Sequence, residues 1–399
     1  MDIKSMRFDV FKRVEKIIKN HGPRLAGTKA DLAAADELYE EINTFADQSS
    51  KQDFFVYQGA FLGWIRLLVI CYVIGLIFLW FNLPLGALIA GVISLVILTL
   101  QFFLYLPLLD RFYPKKTARN VFGVIEPSGE VKRQVILSGH HDSAHIFNFF
   151  IHQPKLYNLR TTGSIALVIT LVVLSTLLIF IPNIPLLTLV IQIVLSLGFL
   201  LVGQMWFFAN KKATPGAGDN LIASSIAITL GKHFRHLRDQ GQGLKHTRII
   251  VMSFDAEEEG LRGARAYAKK YAEDFKKTPT IGLNMDCLYD ENELFFLTSD
   301  LNDFVKLDSD LANDLVAVSK GLGIKTKTQK QAFLTGGTDA AELAKKGVRV
   351  TTLIGMPWTN DSRSNVYHTP NDTLDHVSEK VVEDALAIYQ TYIHQLDQQ

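Results

Sequence analysis

VILSGHHDSAH, Val135–His145, is the stretch on which the reading of the whole chain turns. A short apolar run, Val135–Leu137, leads into a segment holding three histidines and one aspartate: His140, His141, Asp142 and His145. In open α/β sheets binding sites are built beyond the carboxyl ends of the strands, so imidazoles here raise the question of a metal. One histidine near a strand end is ordinarily structural or surface. The answer therefore depends on what the other strand ends carry.

Working outward, helical spacing predicts helices over Ser5–Asn20 and Lys29–Phe45 and a strand over Lys51–Tyr57. Thr117–Glu126 and Val131–Ser138 are β-rich runs joined by the turn residues Pro127-Ser128-Gly129-Glu130. An amphipathic helix follows over Asn220–Leu237, then a strand over Thr247–Phe254 and a helix from Gly260 to Phe275. Thr280–Met285 reads as a strand, Asp308–Gly321 as a helix, Val348–Ile354 as a strand and Asp372–Leu396 as a long closing helix. Strands alternating with helices predict an α/β layered fold with helices on both faces.

Several of these strands run into acidic residues. Thr247–Phe254 is followed by Asp255-Ala256-Glu257-Glu258-Glu259-Gly260, and Thr280–Met285 by Asp286. Asp219 lies in PGAGDN, and His368 in Tyr367-His368-Thr369-Pro370. Each has an ordinary reading by itself. Glu257–Glu259 would suit a helix N-terminus, Asp219 a helix cap and Asp286 a turn. As a set they offer two histidines, two aspartates and a glutamate, with a second glutamate adjacent. Such groups hold two divalent ions about 3.5–4 Å apart with one carboxylate bridging, and ions so held bring water to a pKa of about 7. Imidazole with carboxylate suits Zn2+, and a neighbouring carboxylate can carry the proton.

The rest of the chain divides sharply. Leu67–Leu109 (43 residues) and Thr161–Asn210 (50 residues) contain no Asp, Glu, Lys, Arg or His. A bilayer core needs roughly 20 apolar residues per helix, so each stretch has the length of two spans. Each breaks in its middle, at Asn82-Leu83-Pro84 and at Pro182-Asn183-Ile184-Pro185. Two helical hairpins are predicted, Trp64–Phe81 with Leu85–Leu108 and Gly163–Ile181 with Pro185–Phe208. The spans hold glutamines (Gln101, Gln192, Gln204) and no central ionisable residue, which disfavours transport and chemistry inside the bilayer. The basic flanks Arg66, Arg111, Lys115, Lys116, Arg119, Lys155, Arg160, Lys211 and Lys212 lie on the side of the polar segments. By the positive-inside rule those segments face the cytoplasm, at the plasma membrane. A hairpin returns the chain to the side it left. Residues 1–62, 110–160 and 211–399 are thus expected to form one domain, interrupted by hairpins at 63–109 and 161–210.

A net charge of +1 without a long basic block gives no sign of a nucleic-acid partner. Cys71 and Cys287 are the only cysteines, one in an apolar run and one beside Asp286, so no disulfide framework is expected. The N-terminal twenty residues have no apolar core with a small-residue cleavage site, and a cleaved signal peptide is not expected.

GHHDS, PGAGDN, DAEEEGLRGA, NMD and YHTPNDT, in that order, resemble the five motifs of the co-catalytic di-zinc aminopeptidase family. These zinc exopeptidases are related to glutamate carboxypeptidases, glutaminyl cyclases and transferrin-receptor-like proteins. GPRLAGT near the N-terminus resembles the family's opening segment. The resemblance covers the polar sequence and leaves out both hairpins, so it implies an integral-membrane member with a mixed central sheet sandwiched by helices. It implies two Zn2+ ions, with Co2+ or Mn2+ as alternatives, and a peptide substrate. His140 and Asp286 would hold one ion, Glu258 and His368 the other, and Asp219 would bridge them. Asp142 would orient His140, Glu257 would act as general base and acid, and the Asp219–Asn220 bond would be cis. His141, His145 and Glu259 receive no role.

The chain departs from the pattern in three ways. Gly218 stands where an acidic residue is common, GGTDAAEL (Gly336–Leu343) replaces a Ser-Asp-His pattern lining the substrate pocket, and the hairpins are insertions. The expected activity is that of a membrane-anchored aminopeptidase. A glutaminyl cyclase or carboxypeptidase on the same scaffold is the alternative, and a non-catalytic membrane binding protein a further one. DAEEEGLRGA favours the peptidase, and the full ligand set disfavours loss of catalysis.

Overall fold

The computed structural model describes residues 2–181, 184–357 and 365–399. They form two compact units, one of residues 1–58, 115–145 and 212–399, the other of residues 59–114 and 146–211.

In chain order the first unit contains α1 (Ile3–His21), α2 (Lys29–Asn43), β1 (Gln48–Tyr57), β2 (Lys115–Ile125) and β3 (Arg133–His140). Next come α3 (Ile222–Asp239), β4 (Thr247–Phe254), α4 (Arg262–Lys270), β5 (Thr280–Leu288) and β6 (Leu294–Leu297). It closes with α5 (Ser309–Gly321), β7 (Lys327–Gln329), β8 (Arg349–Gly355) and α6 (Glu379–Asp397). The eight strands make one sheet in the order β1-β2-β4-β3-β5-β8-β6-β7. Its centre, β4-β3-β5-β8, is parallel. At one edge β2 runs antiparallel to β4 and to β1, and at the other β6 runs antiparallel to β8. The sheet is therefore mixed.

Central parallel strands are covered on both faces and read as continuous apolar runs. Val135, Ile136 and Leu137 of β3 and Val251 and Met252 of β4 are accordingly fully buried. Side chains alternate between faces along a strand, and β2 shows which helix lies where. A Cβ on Gly123 would meet Ile42 of α2 at 2.3 Å. Its neighbour Phe122 packs edge-on against Tyr267 of α4 and Tyr271 on the opposite face. Caps follow the sequence: Thr28 and Asp308 accept from Asp31 N and Leu311 N at the starts of α2 and α5.

The second unit is built on four helices, Gly63–Trp80, Pro84–Leu98, Tyr157–Phe180 and Pro185–Val202. Together with the irregular turns that extend three of them, all four are long and apolar enough to cross a membrane. Asn82 turns the first pair at φ +56°, and Pro84 starts the next helix. Pro182 and Asn183, the expected turn of the second pair, lie outside the described residues. Small residues bring the two pairs together: a Cβ on Gly75 would fall 2.7 Å from Leu171, and one on Gly91 2.6 Å from Val172. Two polar side chains inside are bonded to backbone carbonyls of a neighbouring helix. Tyr72 donates to Leu195 O at 2.8 Å and Gln192 to Leu79 O at 2.7 Å. Gln101 accepts from Leu108 N and Leu109 N, which ends the second helix earlier than its apolar run. Residues 146–160 also group here, because Phe147, Phe149, Phe150, Tyr157 and Phe208 stack on one another.

Candidate metal centre

The parallel strands β3, β4 and β5 end side by side, and each delivers part of one cluster. His140 is the last residue of β3. Gly139 before it has no Cβ, and one would sit 2.5 Å from Ala223 Cβ of α3, so glycine lets α3 press against this strand end. Glu257 and Glu258 follow β4, and Asp286 lies within the last residues of β5. Asp219 comes from the turn before α3, where the Asp219–Asn220 peptide is cis. Asn220 donates to Met285 O at 3.0 Å, which ties this turn to β5. Ala256, Cys287 and His368 adopt φ values of +57°, +51° and +52°. Left-handed backbone at non-glycine residues concentrates where side chains must be aimed.

Two triads share Asp219, His140/Asp219/Asp286 and Asp219/Glu258/His368, and Glu257 and Glu258 also group with His140. Asp219 belongs to both, with a different oxygen in each. Its Oδ1 is 3.4 Å from His140 Nε2, and its Oδ2 is 3.2 Å from His368 Nε2. Asp286 Oδ1 lies 3.8 Å from His140 Nε2, and Glu258 Oε1 lies 3.3 Å from His368 Nε2. Glu257 Oε2 stands 3.9 Å from His140 Nε2. Asp142 does two jobs. Its Oδ1 is 3.2 Å from His140 Nδ1, and its two oxygens accept the Glu257 and Glu258 backbone N–H groups at 3.2 Å each. The turn carrying both glutamates is thereby fixed to the histidine they act beside. Glu259 and His145 belong to neither triad.

The electrostatics are those of a cluster short of positive charge. Burial pushes the Glu257, Glu258 and Asp286 carboxyls up, with further upward pressure from neighbouring carboxylates. Burial alone would lower His368, but Glu258 and Asp219 hold it up at about 9; His140 is raised in the same way by Asp142, Asp219 and Asp286. Among the described residues, His140 Nε2, Asp219 Oδ2 and Asp286 Oδ1 are buried close together with no hydrogen bond. Buried polar atoms are otherwise paired. Imidazole nitrogens and carboxylate oxygens aimed at one another without hydrogen bonding are a donor set that fits divalent ions.

Some contributors were not legible in the sequence. Asp372, in the NDT that follows His368, accepts from Gly218 N at 2.8 Å and Asp219 N at 3.4 Å. Arg24 of GPRLAGT is fully buried and donates to the carbonyls of His141, Gly22, Pro215 and Gly216, joining three of the motifs. The glycine at 218 also has a cause: any Cβ there would lie 2.2 Å from the Tyr289 ring. In GGTDAAEL, Asp339 is buried near enough to His140, Asp142 and Asp286 to feel their charges, and burial raises its carboxyl.

A mixed sheet flanked by helices, with imidazoles and carboxylates gathered at its strand ends, has the zinc exopeptidase-like fold. A Zn-dependent exopeptidase from Parabacteroides distasonis superposes with a TM-score of 0.56 at 12% identity, over 98% of this chain and 97% of its own. An aminopeptidase from Aneurinibacillus sp. strain AM-1 gives 0.57 at 14% identity, over 98% and 93%. These likenesses are of fold. The profile of Peptidase family M28 matches residues 202–393, which include Asp219, Glu257, Glu258, Asp286 and His368 but not His140 or Asp142. A probable glutamate carboxypeptidase from Arthroderma benhamiae is 39% identical over 71 residues, 18% of this chain, and the match spans only 10% of that protein. The match to Peptidase family M28 thus covers a little under half of the chain and takes in most of the clustered carboxylates and His368.

Proposed function

We propose that this chain is a membrane-anchored aminopeptidase that binds two Zn2+ ions and removes N-terminal residues from peptides. The observation that carries the reading is Asp219, whose two oxygens serve two triads. In it His140 and Asp286 would hold one ion and Glu258 and His368 the other, with Asp219 offering one oxygen to each. When bound, such ions polarise the scissile carbonyl and lower the pKa of water to about 7.

The protein's own groups do the rest. Glu257, which is not needed as a ligand and whose carboxyl burial pushes upward, accepts a proton from the attacking water and returns it to the leaving amine. Asp142 keeps the His140 ring and the Glu257–Glu258 backbone in register. Asp372 holds the Gly218–Asp219 turn by its N–H groups. The test is an assay of detergent-purified protein on free and N-blocked aminoacyl substrates, with chelation and Zn2+ add-back. Hydrolysis that requires a free N-terminus supports the reading. Cyclisation of N-terminal glutaminyl peptides instead would assign the cyclase, and cleavage from the carboxyl end the carboxypeptidase.

Membrane anchoring rests on the four apolar helices and on the many large apolar side chains they expose, among them Leu186 and Leu200 at 72%. The reading that the polar unit faces the cytoplasmic side of the plasma membrane rests on the basic flanks Arg66, Arg111, Lys155, Arg160, Lys211 and Lys212. Leu83→Cys, at the exposed tip of the first hairpin, should react with an impermeant thiol reagent only from the opposite side. Reaction from the cytoplasm would overturn the orientation.

A further inference from the structure

Beside the two triads lies a third group that the peptidase chemistry does not use. His141, Asp31 and Asp255 are each fully buried, and one ligand atom from each lies within 4.8 Å of the others. His141 Nε2 is 3.8 Å from Asp31 Oδ1 and 4.0 Å from Asp255 Oδ2. The other ring nitrogen, Nδ1, is 2.8 Å from Ser253 Oγ, which is itself 2.7 Å from Ser224 Oγ. With Nδ1–H donating to Ser253, the Nε2 lone pair points at the two carboxylates, as in histidines whose second nitrogen is held by a hydrogen bond for metal ligation.

The carboxylates are half satisfied. Asp31 Oδ2 accepts from Gly27 N at 2.9 Å, and Asp255 Oδ2 from Arg119 N at 2.6 Å. Asp31 Oδ1, Asp255 Oδ1 and His141 Nε2 are left without a hydrogen bond among the described residues. No lysine or arginine forms an ion pair with either aspartate among these residues; Arg24, close enough for its charge to be felt at Asp31, directs its donors to carbonyl oxygens. Two buried carboxylates beside an imidazole are costly unless a cation, or a proton shared between them, joins them; burial raises both carboxyls. Separations of 3.8 and 4.0 Å let a single ion reach both sides with ligand bonds of about 2.0–2.4 Å.

We propose that Asp31, His141 and Asp255 hold a further divalent cation, of the Zn2+ or Mn2+ class, distinct from the ions of the peptidase site. It clamps the first turn of α2, the histidine motif after β3 and the segment after β4 that leads to Glu257. Its role is structural, since none of the three side chains belongs to the peptidase triads.

The experiment counts metal. Full-length protein in detergent is saturated with ZnCl2 or MnCl2, desalted and analysed for ions per chain, as wild type, Asp31→Asn, His368→Ala and the double variant. Asp31→Asn should lose about one ion per chain, in the wild-type background and equally in the His368→Ala background. The readout is a difference between paired proteins, so it does not depend on how many ions the peptidase site takes. An unchanged count in Asp31→Asn would overturn the proposal and assign the charge balance to a proton shared by the two aspartates. Should that variant not fold, anomalous diffraction from wild-type crystals decides: a peak enclosed by the three side chains is expected, and no peak overturns it.

Discussion

The two units solve opposite problems. The polar unit buries charge: His140, Asp142, Asp219 and Asp286 are at most 4% exposed at the ends of its strands. The helical unit buries Arg160 only at the start of one span, where it donates to His152 O and Gln153 Oε1, and closes other polar groups, such as Tyr72 and Gln192, on backbone carbonyls. A buried charge must be answered by another charge, whereas a buried hydroxyl or amide is satisfied by one hydrogen bond. Substitutions in the polar unit are therefore expected to act through charge and metal, and those in the helical unit through shape.

The largest effect belongs to the adjacent glutamates. Glu257→Gln preserves shape and removes the proton carrier, so turnover on aminoacyl substrates should fall by roughly 10²–10⁴ while metal content is kept. Glu258→Gln should lose turnover and metal together, because its Oε1 belongs to the His368 triad. Equal metal content and equal activity in the two variants would erase the distinction between base and ligand.

Metal removal comes next, and each unit carries its own reporter. Cys287 is buried in the polar unit beside Asp286, and Cys71 is buried in the helical unit. A ligand present at 1,000 times its dissociation constant contributes about 4 kcal/mol to the folded state. Chelation should thus speed thiol labelling of Cys287 by about 10²-fold or more and leave Cys71 near its starting rate. Parallel acceleration of both would mean that charge balance in the polar unit also governs the helices.

This contrast also explains which features could be read along the chain. The residues that the structure gathers into the cluster could be picked out as a set because most sit at a local landmark, such as an apolar run ending in His140, in Asp255–Glu259 or in Asp286. The hairpins were legible because forty uncharged residues have few other solutions. Long-range pairing left no such mark. β6 is four apolar residues without alternation, and β7 is three residues at the sheet edge. The helix expected from Gly260 to Phe275 breaks at Tyr271, between α4 and a short second helix. The closing helix begins at Glu379, seven residues later than its spacing suggests, because Asp372 is engaged by the Gly218–Asp219 turn. His141 had no role in the sequence because its partners, Asp31 and Asp255, are more than 100 residues away on either side.

On the helical side the comparison is sharpened by Gly91→Leu. A Cβ alone would fall 2.6 Å from Val172 Cγ2, so the larger side chain forces the helices apart at about 1–3 kcal/mol. Cys71 labelling should accelerate accordingly, and Cys287 labelling and metal content should not change. Loss of bound metal in this variant would break the separation between shape and charge.

The smallest effect lies in the polar unit away from the metal ligands, where a buried charge is answered inside the chain. Arg13 is 5% exposed and donates to Glu41, Asp9, Thr229 Oγ1 and Ser225 O. Burial alone would raise the Glu41 carboxyl, but the guanidinium outweighs it and holds the group at about 2, against an ordinary 4.5. A carboxylate whose folded pKa is depressed adds stability above its unfolded pKa and loses it as pH falls through the folded one. The Glu41 side chain is 30% exposed, so solvent screening leaves a contribution of about 1–2 kcal/mol. Wild type should exceed Glu41→Gln by that amount at pH 7, measured by denaturant titration in detergent. The gap should close as pH falls from about 4.5 toward 2, because protonated glutamate and glutamine then present the same neutral group to Arg13. A gap that persists at low pH would show that Glu41 acts through packing, which is the rule for the helical unit and not for this one.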